Sequence, residues 1–260
     1  MTETTIDPDT TAAAAQDPTP HRADFSDIAG ATAIPALDAP LDDEALRAQV
    51  TALGPWFHNI RLSPGVETRA IAPSVGPQPA DHPLRRWHVY EDVLPADMTG
   101  MRVLDLGSAD GFFAIEMARR GAHVLAQDFW GAMIKRLRFA AQATGTQDRI
   151  WTRVGDVNAI AEGERYDAIL CLGLLYHLRH PFHDLERIAK ASDLLWLETT
   201  LHDGEGSFIH FKPPAEGVHH IRKWFPTRAC VRDMLDECKF TTIEDIPDPT
   251  PGRGSFLARR

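Results

Sequence analysis

The run Arg102-Val103-Leu104-Asp105-Leu106-Gly107-Ser108-Ala109-Asp110-Gly111-Phe112-Phe113 decides the fold. A short apolar stretch leads into a turn of small residues, and an amphipathic segment follows from Ala114 to Arg120. By its periodicity this is strand, turn and helix. Gly121-Ala122-His123-Val124-Leu125-Ala126-Gln127-Asp128 then reads as a second strand ending in a carboxylate. Glycines at 107 and 111 let the backbone approach a ligand where a Cβ would collide. The helix N-terminus behind them offers free N–H groups. Asp128 stands 21 residues after Gly107, where an open α/β sheet sets an acid against ribose hydroxyls. The stretch reads as a nucleoside-binding β-α-β unit.

The turn does not carry the G-x-G-x-x-G spacing of a dinucleotide site. Its sequence is Gly-Ser-Ala-Asp-Gly, and Asp110 would repel a pyrophosphate. A carboxylate there suits a ligand with a cationic amine. The stretch resembles the first motif of class I S-adenosyl-L-methionine (SAM)-dependent methyltransferases, with Ala109 in place of the middle glycine. The resemblance implies an α/β, Rossmann-like fold: a mostly parallel seven-stranded sheet flanked by helices, with SAM as cofactor. It implies cofactor contacts from Asp105, Gly107, Ser108, Ala109, Asp110, Gly111 and Asp128. Phe129 and Trp130 follow directly, either to stack on adenine or to pack in the core. Asp156 and Val157 fall where the family sets an adenine acceptor and an apolar cover; the other reading of Asp156 is a helix N-cap.

Downstream of residue 99 strands and helices alternate, as in a mostly parallel sheet. Strands are expected at about 102–106, 123–127, 150–154, 167–172 and 194–199, and helices at about 111–120, 131–143 and 181–191. A helix at 227–238 precedes two closing strands, 240–246 and 254–259, which resemble the antiparallel hairpin ending the class I methyltransferase sheet.

The second informative stretch is Tyr166-Asp167-Ala168-Ile169-Leu170-Cys171-Leu172-Gly173-Leu174-Leu175-Tyr176-His177-Leu178. A buried strand runs into a glycine and a polar aromatic pair. Chemistry in open α/β sheets gathers at the carboxyl ends of strands, which places Leu172 and Gly173 at the cofactor and Tyr176 and His177 just beyond. This segment, with Leu195-Trp196-Leu197-Glu198-Thr199-Thr200, resembles the tRNA wobble-uridine carboxymethyltransferase group and its methyltransferase relatives. That group uses a cap-region lysine to hold the carboxylate of carboxy-SAM. This chain has no lysine before Lys135; Arg61 and Arg69 are the cationic substitutes available.

Residues 1 to about 40 are rich in Thr, Ala, Asp and Pro, and read as a disordered acidic tail. Residues 41–98 read as a small N-terminal helical cap across the mouth of the SAM-binding methyltransferase domain, 99–260. Its first helix opens at Leu41-Asp42-Asp43-Glu44, with acids in the first turn. The net charge of −10 is concentrated: residues 1–45 hold ten acids and one arginine, leaving the rest at −1. Such a balance carries no overall phosphate-neutralising surface. No apolar run reaches the ~20 residues of a membrane helix. The N-terminus has no signal-peptide pattern, and three widely spaced cysteines suggest reduced thiols. A cytoplasmic location is therefore expected.

The spacing of His177, His180 and His183 would set them near one face of a helix, but Pro181 interrupts the segment, and His202, His210, His219 and His220 are scattered. They form no compact ligand set, and no metal is expected. The SAM sulfonium is already a strong electrophile, so the protein mainly aligns the acceptor and excludes water. A base serves a hydroxyl or acidic carbon. His177 is the first candidate, with an unperturbed pKa of about 6.5. Tyr176 would orient the acceptor, and Glu198 is the next candidate base. Trp56, His58, Trp87 and Trp224 either shape an acceptor pocket or pack in the core. The expectation is a methyltransferase for a small-molecule substrate. The alternatives are a tRNA uridine (carboxy)methyltransferase and an enzyme that cyclises SAM itself.

Overall fold

The computed structural model of the chain describes residues 24–74, 78–213 and 223–260. Its first strand, β1 (Thr32–Ala33), precedes the cap. The cap comprises α1 (Asp43–Leu53), a small hairpin of β2 (Arg61–Ser63) and β3 (Val66–Glu67), then α2 (Thr68–Ile71) and α3 (Leu84–Tyr90). The Asp42 carboxylate caps α1 by accepting from the Ala45 N–H at 2.8 Å. Leu46 and Val50, four residues apart, turn one face of that helix inward.

The alternating part follows closely where apolar periodicity set it. It runs β4 (Arg102–Leu106), α4 (Phe112–Arg119), β5 (His123–Asp128), α5 (Gly131–Ala143) and β6 (Ile150–Val154). Next come β7 (Ala168–Leu172), α6 (Pro181–Ala191) and β8 (Leu194–Thr200). A separate ribbon of β9 (Ile209–Lys212) and β10 (Lys223–Pro226) is inserted here. The chain closes with α7 (Arg228–Glu237), β11 (Thr242–Ile246) and β12 (Arg253–Arg259).

The main sheet has the order β1-β6-β5-β4-β7-β8-β12-β11. Strands β6, β5, β4, β7 and β8 are parallel, while β12 and β11 form the closing antiparallel pair. The seven expected strands are joined by an eighth, β1, which pairs antiparallel with the edge strand β6. One apolar layer joins the cap with α4 and α5; the other holds α6 and α7. Helix α4 is sandwiched between sheet and cap, so Phe112, Phe113, Ala114, Ile115, Met117 and Ala118 are all buried.

The expected tail is corrected by β1. Phe25, Ile28 and Ile34 are buried, and Phe25 meets the Tyr166 ring at 6.2 Å. Arg102 lies over the Phe25 ring at 4.7 Å and pairs with Asp27 at 3.1 Å. From residue 24 the chain belongs to the folded body, because three large apolar side chains repay the ordering of a short segment. Residues 1–23 of the expected tail, like His219 and His220, lie outside the described residues. Cys171, Cys230 and Cys238 are buried free thiols.

Candidate functional site

The sheet order reverses about β4, so the carboxyl ends of β4, β5 and β7 border one crevice. The turn after β4 is shaped by positive φ at Gly107 (77°), Ala109 (47°) and Gly111 (93°). Gly107 and Ser108 both donate their N–H groups to the Gln127 carbonyl, at 2.8 and 3.0 Å. Gly111 caps α4, and a Cβ there would stand 2.4 Å from Leu137 Cγ. Glycine at 111 is therefore a packing requirement between α4 and α5. Ser108 is buried, with no partner for its Oγ among the described residues.

Asp128 ends β5 with its carboxylate against this turn. It accepts from Ala109 N at 3.1 Å and from Trp130 N at 2.8 Å. Burial pushes its pKa up, opposed by those N–H groups. Phe129 and Trp130 are 60% and 51% exposed, which removes the core-packing reading for both. Asp156 is exposed and accepts from Asn158 N at 2.9 Å, so its capping reading is realised. Val157 beside it is buried. Leu172 and Gly173 are half-buried at the end of β7. Asp105 lies within β4, 2% exposed, with Oδ2 unpartnered among the described residues; burial pushes its pKa up to about 7.

Asp110 departs from its expected role. Its side chain is fully buried and bonds Arg136 Nε at 2.7 Å. It also accepts from the backbone N–H of His58 at 3.0 Å and from that of Phe57. This carboxylate clasps the cap and α5 to the turn instead of facing a ligand amine. The reason is electrostatic: Arg136 is a permanently charged partner at 2.7 Å within the same desolvated space. Arg136 also donates to the Leu53 carbonyl at 3.3 Å.

Glu198 is a second correction. At the end of β8 and fully buried, it forms a two-pronged pair with Arg253, Nη2–Oε2 being 2.8 Å and Nε–Oε1 the other prong. Arg86 of the cap reaches the same Oε2 at 3.1 Å. Arg86 also pairs with Asp248 at 3.1 Å, and the Tyr90 hydroxyl donates to Asp248 as well. A carboxylate engaged on both oxygens by guanidinium groups is structural, and Glu198 is no general base. Sequence reading had no access to its partners, which lie 112 and 55 residues away.

Tyr176 and His177 stand together beyond β7, their rings 4.1 Å apart. Tyr176 is half-buried and His177 exposed. Arg253 and Lys223 lie over the Tyr176 ring, at 5.4 and 5.6 Å from its centroid. Trp56 and Trp87 pack in the core: Trp56 donates to the Val50 carbonyl at 2.9 Å, and Trp87 meets Phe112 and Phe113 edge-on. His58 is buried too, and its Nδ1 receives the Phe112 N–H at 3.4 Å. Burial, then Arg69 and Arg86, push His58 down to about 3, and burial also depresses His82 beside it. Trp224 is half-buried on β10 against Phe211, 4.5 Å between rings. Arg61 is exposed and paired with Glu67, whereas Arg69 is buried and bonds the Phe57 and Gln78 carbonyls.

A glycine-shaped turn, an acid at the next strand end and a cap over the carboxyl ends define a nucleoside-binding domain of the Rossmann-like class. Residues 81–246 match the methyltransferase domain family. The chain belongs to that family. Among curated relatives, the tRNA U34 carboxymethyltransferase of Klebsiella pneumoniae is 24% identical over 166 residues, 60% of this chain and 49% of the relative. The ubiquinone biosynthesis O-methyltransferase of Vibrio cholerae is 32% identical over 109 residues, 42% of this chain and 44% of the relative. The chain thus spans about half the length of the curated relatives it matches. The N-terminal domain of EvdMO1, solved with S-adenosylhomocysteine (SAH) and D-fucose, superposes with a TM-score of 0.63 at 22% identity. That superposition covers 85% of this chain and 97% of the other. No helix among the described residues is long and apolar enough to cross a membrane.

Proposed function

We propose that this chain is a SAM-dependent methyltransferase acting on a small-molecule acceptor. The observation that carries the reading is the positive-φ turn at 107–111 set against Asp128, with Phe129 and Trp130 exposed beside it. In this reading Asp128 meets the ribose hydroxyls, the two aromatics offer faces to adenine, and the free backbone of the turn borders the methionine end. Asp156 Oδ1 caps the following turn, and Oδ2, which accepts from Asn158 Nδ2 at 3.3 Å, is the oxygen the adenine amino group would share. The chemistry is in-line displacement at the sulfonium methyl, with His177 as base toward the acceptor and Tyr176 aligning it.

Calorimetry with SAM and SAH tests the cofactor assignment. Asp128→Ala should weaken both by ~1–3 kcal/mol, the range for unmet hydrogen bonds to a charged group. Unchanged affinity removes the assigned site. His177→Ala should lower kcat while leaving SAH affinity in place; undiminished turnover removes the base.

The similarity to a tRNA-modifying relative supports a second reading, modification of a tRNA uridine. Against it stands the nearly neutral charge of residues 46–260. Tight tRNA binding with a steep salt dependence would favour that reading.

A further inference from the structure

We propose that the protein carries a second ligand site, for a small organic cation, at the amino ends of β5 and β6. A cavity of about 340 Å³ lies there, of a size that holds a small molecule. Asp24, Ala33 and Ile34 of the leading segment form one wall. His123, Gln147 and Trp151 form the other, with Asp148 beside Gln147. Trp151 pairs with Ala33 in the β1–β6 register, so the two walls are stitched together. The site is remote from the nucleoside crevice. His123 and Asp128 begin and end β5, so the two stand about 16 Å apart at a rise of about 3.3 Å per residue. None of the residues that line the cavity serves the methyl-transfer reading, and the site stands or falls apart from it.

The polar groups of the lining are acceptors. Gln147 Oε1 is buried and receives no donor among the described residues. A buried acceptor left unmet is costly until a donor arrives. Asp148 beside it is exposed, and among the described residues no cation pairs with its carboxylate. Asp24 adds a second carboxylate, whose Oδ1 accepts from Ser26. The neighbouring arginines are engaged elsewhere: Arg102 pairs with Asp27 at 3.1 Å, and Arg149 donates to the Gly121 carbonyl at 3.0 Å. Burial, then the Arg149 charge, hold the His123 imidazole below its ordinary pKa, with Asp24 opposing and Arg102 adding. At neutral pH the ring is therefore uncharged and does not repel a cation. Trp151 is half-buried and gives the cavity an aromatic wall, which attracts an organic cation further. Ala33 and Ile34 offer apolar surface to the rest of the ligand. An anion would meet two carboxylates, and an apolar molecule would leave Gln147 Oε1 unmet. An ammonium head on a short apolar body answers all of these groups.

The test is a ligand-observed NMR titration of the full chain with two matched probes, benzylammonium and benzyl alcohol, each with and without SAH. The wild type should bind benzylammonium in preference to the alcohol, equally well in both conditions. In Gln147→Leu the ammonium should bind about tenfold more weakly or worse, the range for a hydrogen bond to a charged group. In Asp148→Asn it should bind about twofold to fivefold more weakly, the range for an exposed ion pair, and Asp148→Glu should restore it. Asp128→Ala, at the other end of β5, should leave it unchanged. Equal binding of the two probes overturns the proposal, as does a preference that survives both Gln147→Leu and Asp148→Asn. A preference abolished by SAH or by Asp128→Ala also overturns it, because the cation would then occupy the nucleoside crevice. Should Gln147→Leu fail to fold, Asp148→Asn decides alone, since its side chain is exposed. Calorimetry of SAH reports separately on the cofactor reading; absent SAH binding beside an intact ammonium preference strikes that reading alone.

Discussion

Gly111 shows how one residue serves two demands. Its φ of 93° belongs to the left-handed region, and its missing Cβ admits Leu137. Gly111→Ala should therefore lower stability by about 1–3 kcal/mol through overpacking, with backbone strain added; a thermal melt reads it. Asp105 makes a different prediction. Its pKa is about 7 in the fold and about 3.9 in the unfolded chain. Between those values the folded state holds a proton that the unfolded state has released, so this group's contribution falls as pH rises to about 7. Asp105→Asn should match the wild type in melting temperature near about pH 4 and exceed it near about pH 8. A gap that stays constant with pH would show that Asp105 is not buried in the charged form. At this scale the sequence was most legible where backbone geometry chose the residue. Gly107 and Gly111 declared the turn because few other residues adopt its φ. The partner of Asp110 was hidden, because nothing local distinguishes a carboxylate facing a ligand from one facing Arg136.

Elements were legible wherever apolar periodicity persisted. Strand β4, strand β6, α5 and α6 fall at their expected bounds, because each carries its own period and punctuation: Pro181 opens α6, and Gly131 opens α5. Strand β1 escaped because two residues carry no period, and its flanks of Ala, Thr and Pro resemble a tail. The remaining signal was the spacing of Phe25 and Ile28, with Ile34 beyond. These anchors make the leading segment part of the structure. Deleting residues 1–38 should lower the melting temperature, and Phe25→Ala alone should cost about 3–5 kcal/mol, the range for an emptied core phenylalanine. Denaturant unfolding of the two variants measures this; wild-type stability in both would show that β1 is not held.

Over the whole molecule, the seam between cap and sheet is unusually polar for a buried interface. It contains the Arg86–Glu198–Arg253 and Asp110–Arg136 pairs and two neutral histidines. None of these pairings is visible along the chain, since each joins residues brought together only by the sheet order. The histidines set an acid limit. His58 is about 3 in the fold and about 6.5 when unfolded. The unfolded chain takes up protons that the folded one refuses, so stability is lost as pH falls below about 6.5. His82 acts in the same direction. His58→Gln and His82→Asn should each flatten the acid limb of a melting-temperature profile. An unchanged limb would show that both histidines accept protons without opening the seam.

The Asp110 clasp has a consequence for engineering. It grips the cap through the main-chain N–H groups of Phe57 and His58, and every residue except proline supplies that group. The latch is thus indifferent to the side chain at position 57, which is only half-buried. A saturation library at that position would change the side chain beside His58 and His82 while the cap stays fastened, so the surroundings of those two histidines and the fold become separately adjustable there.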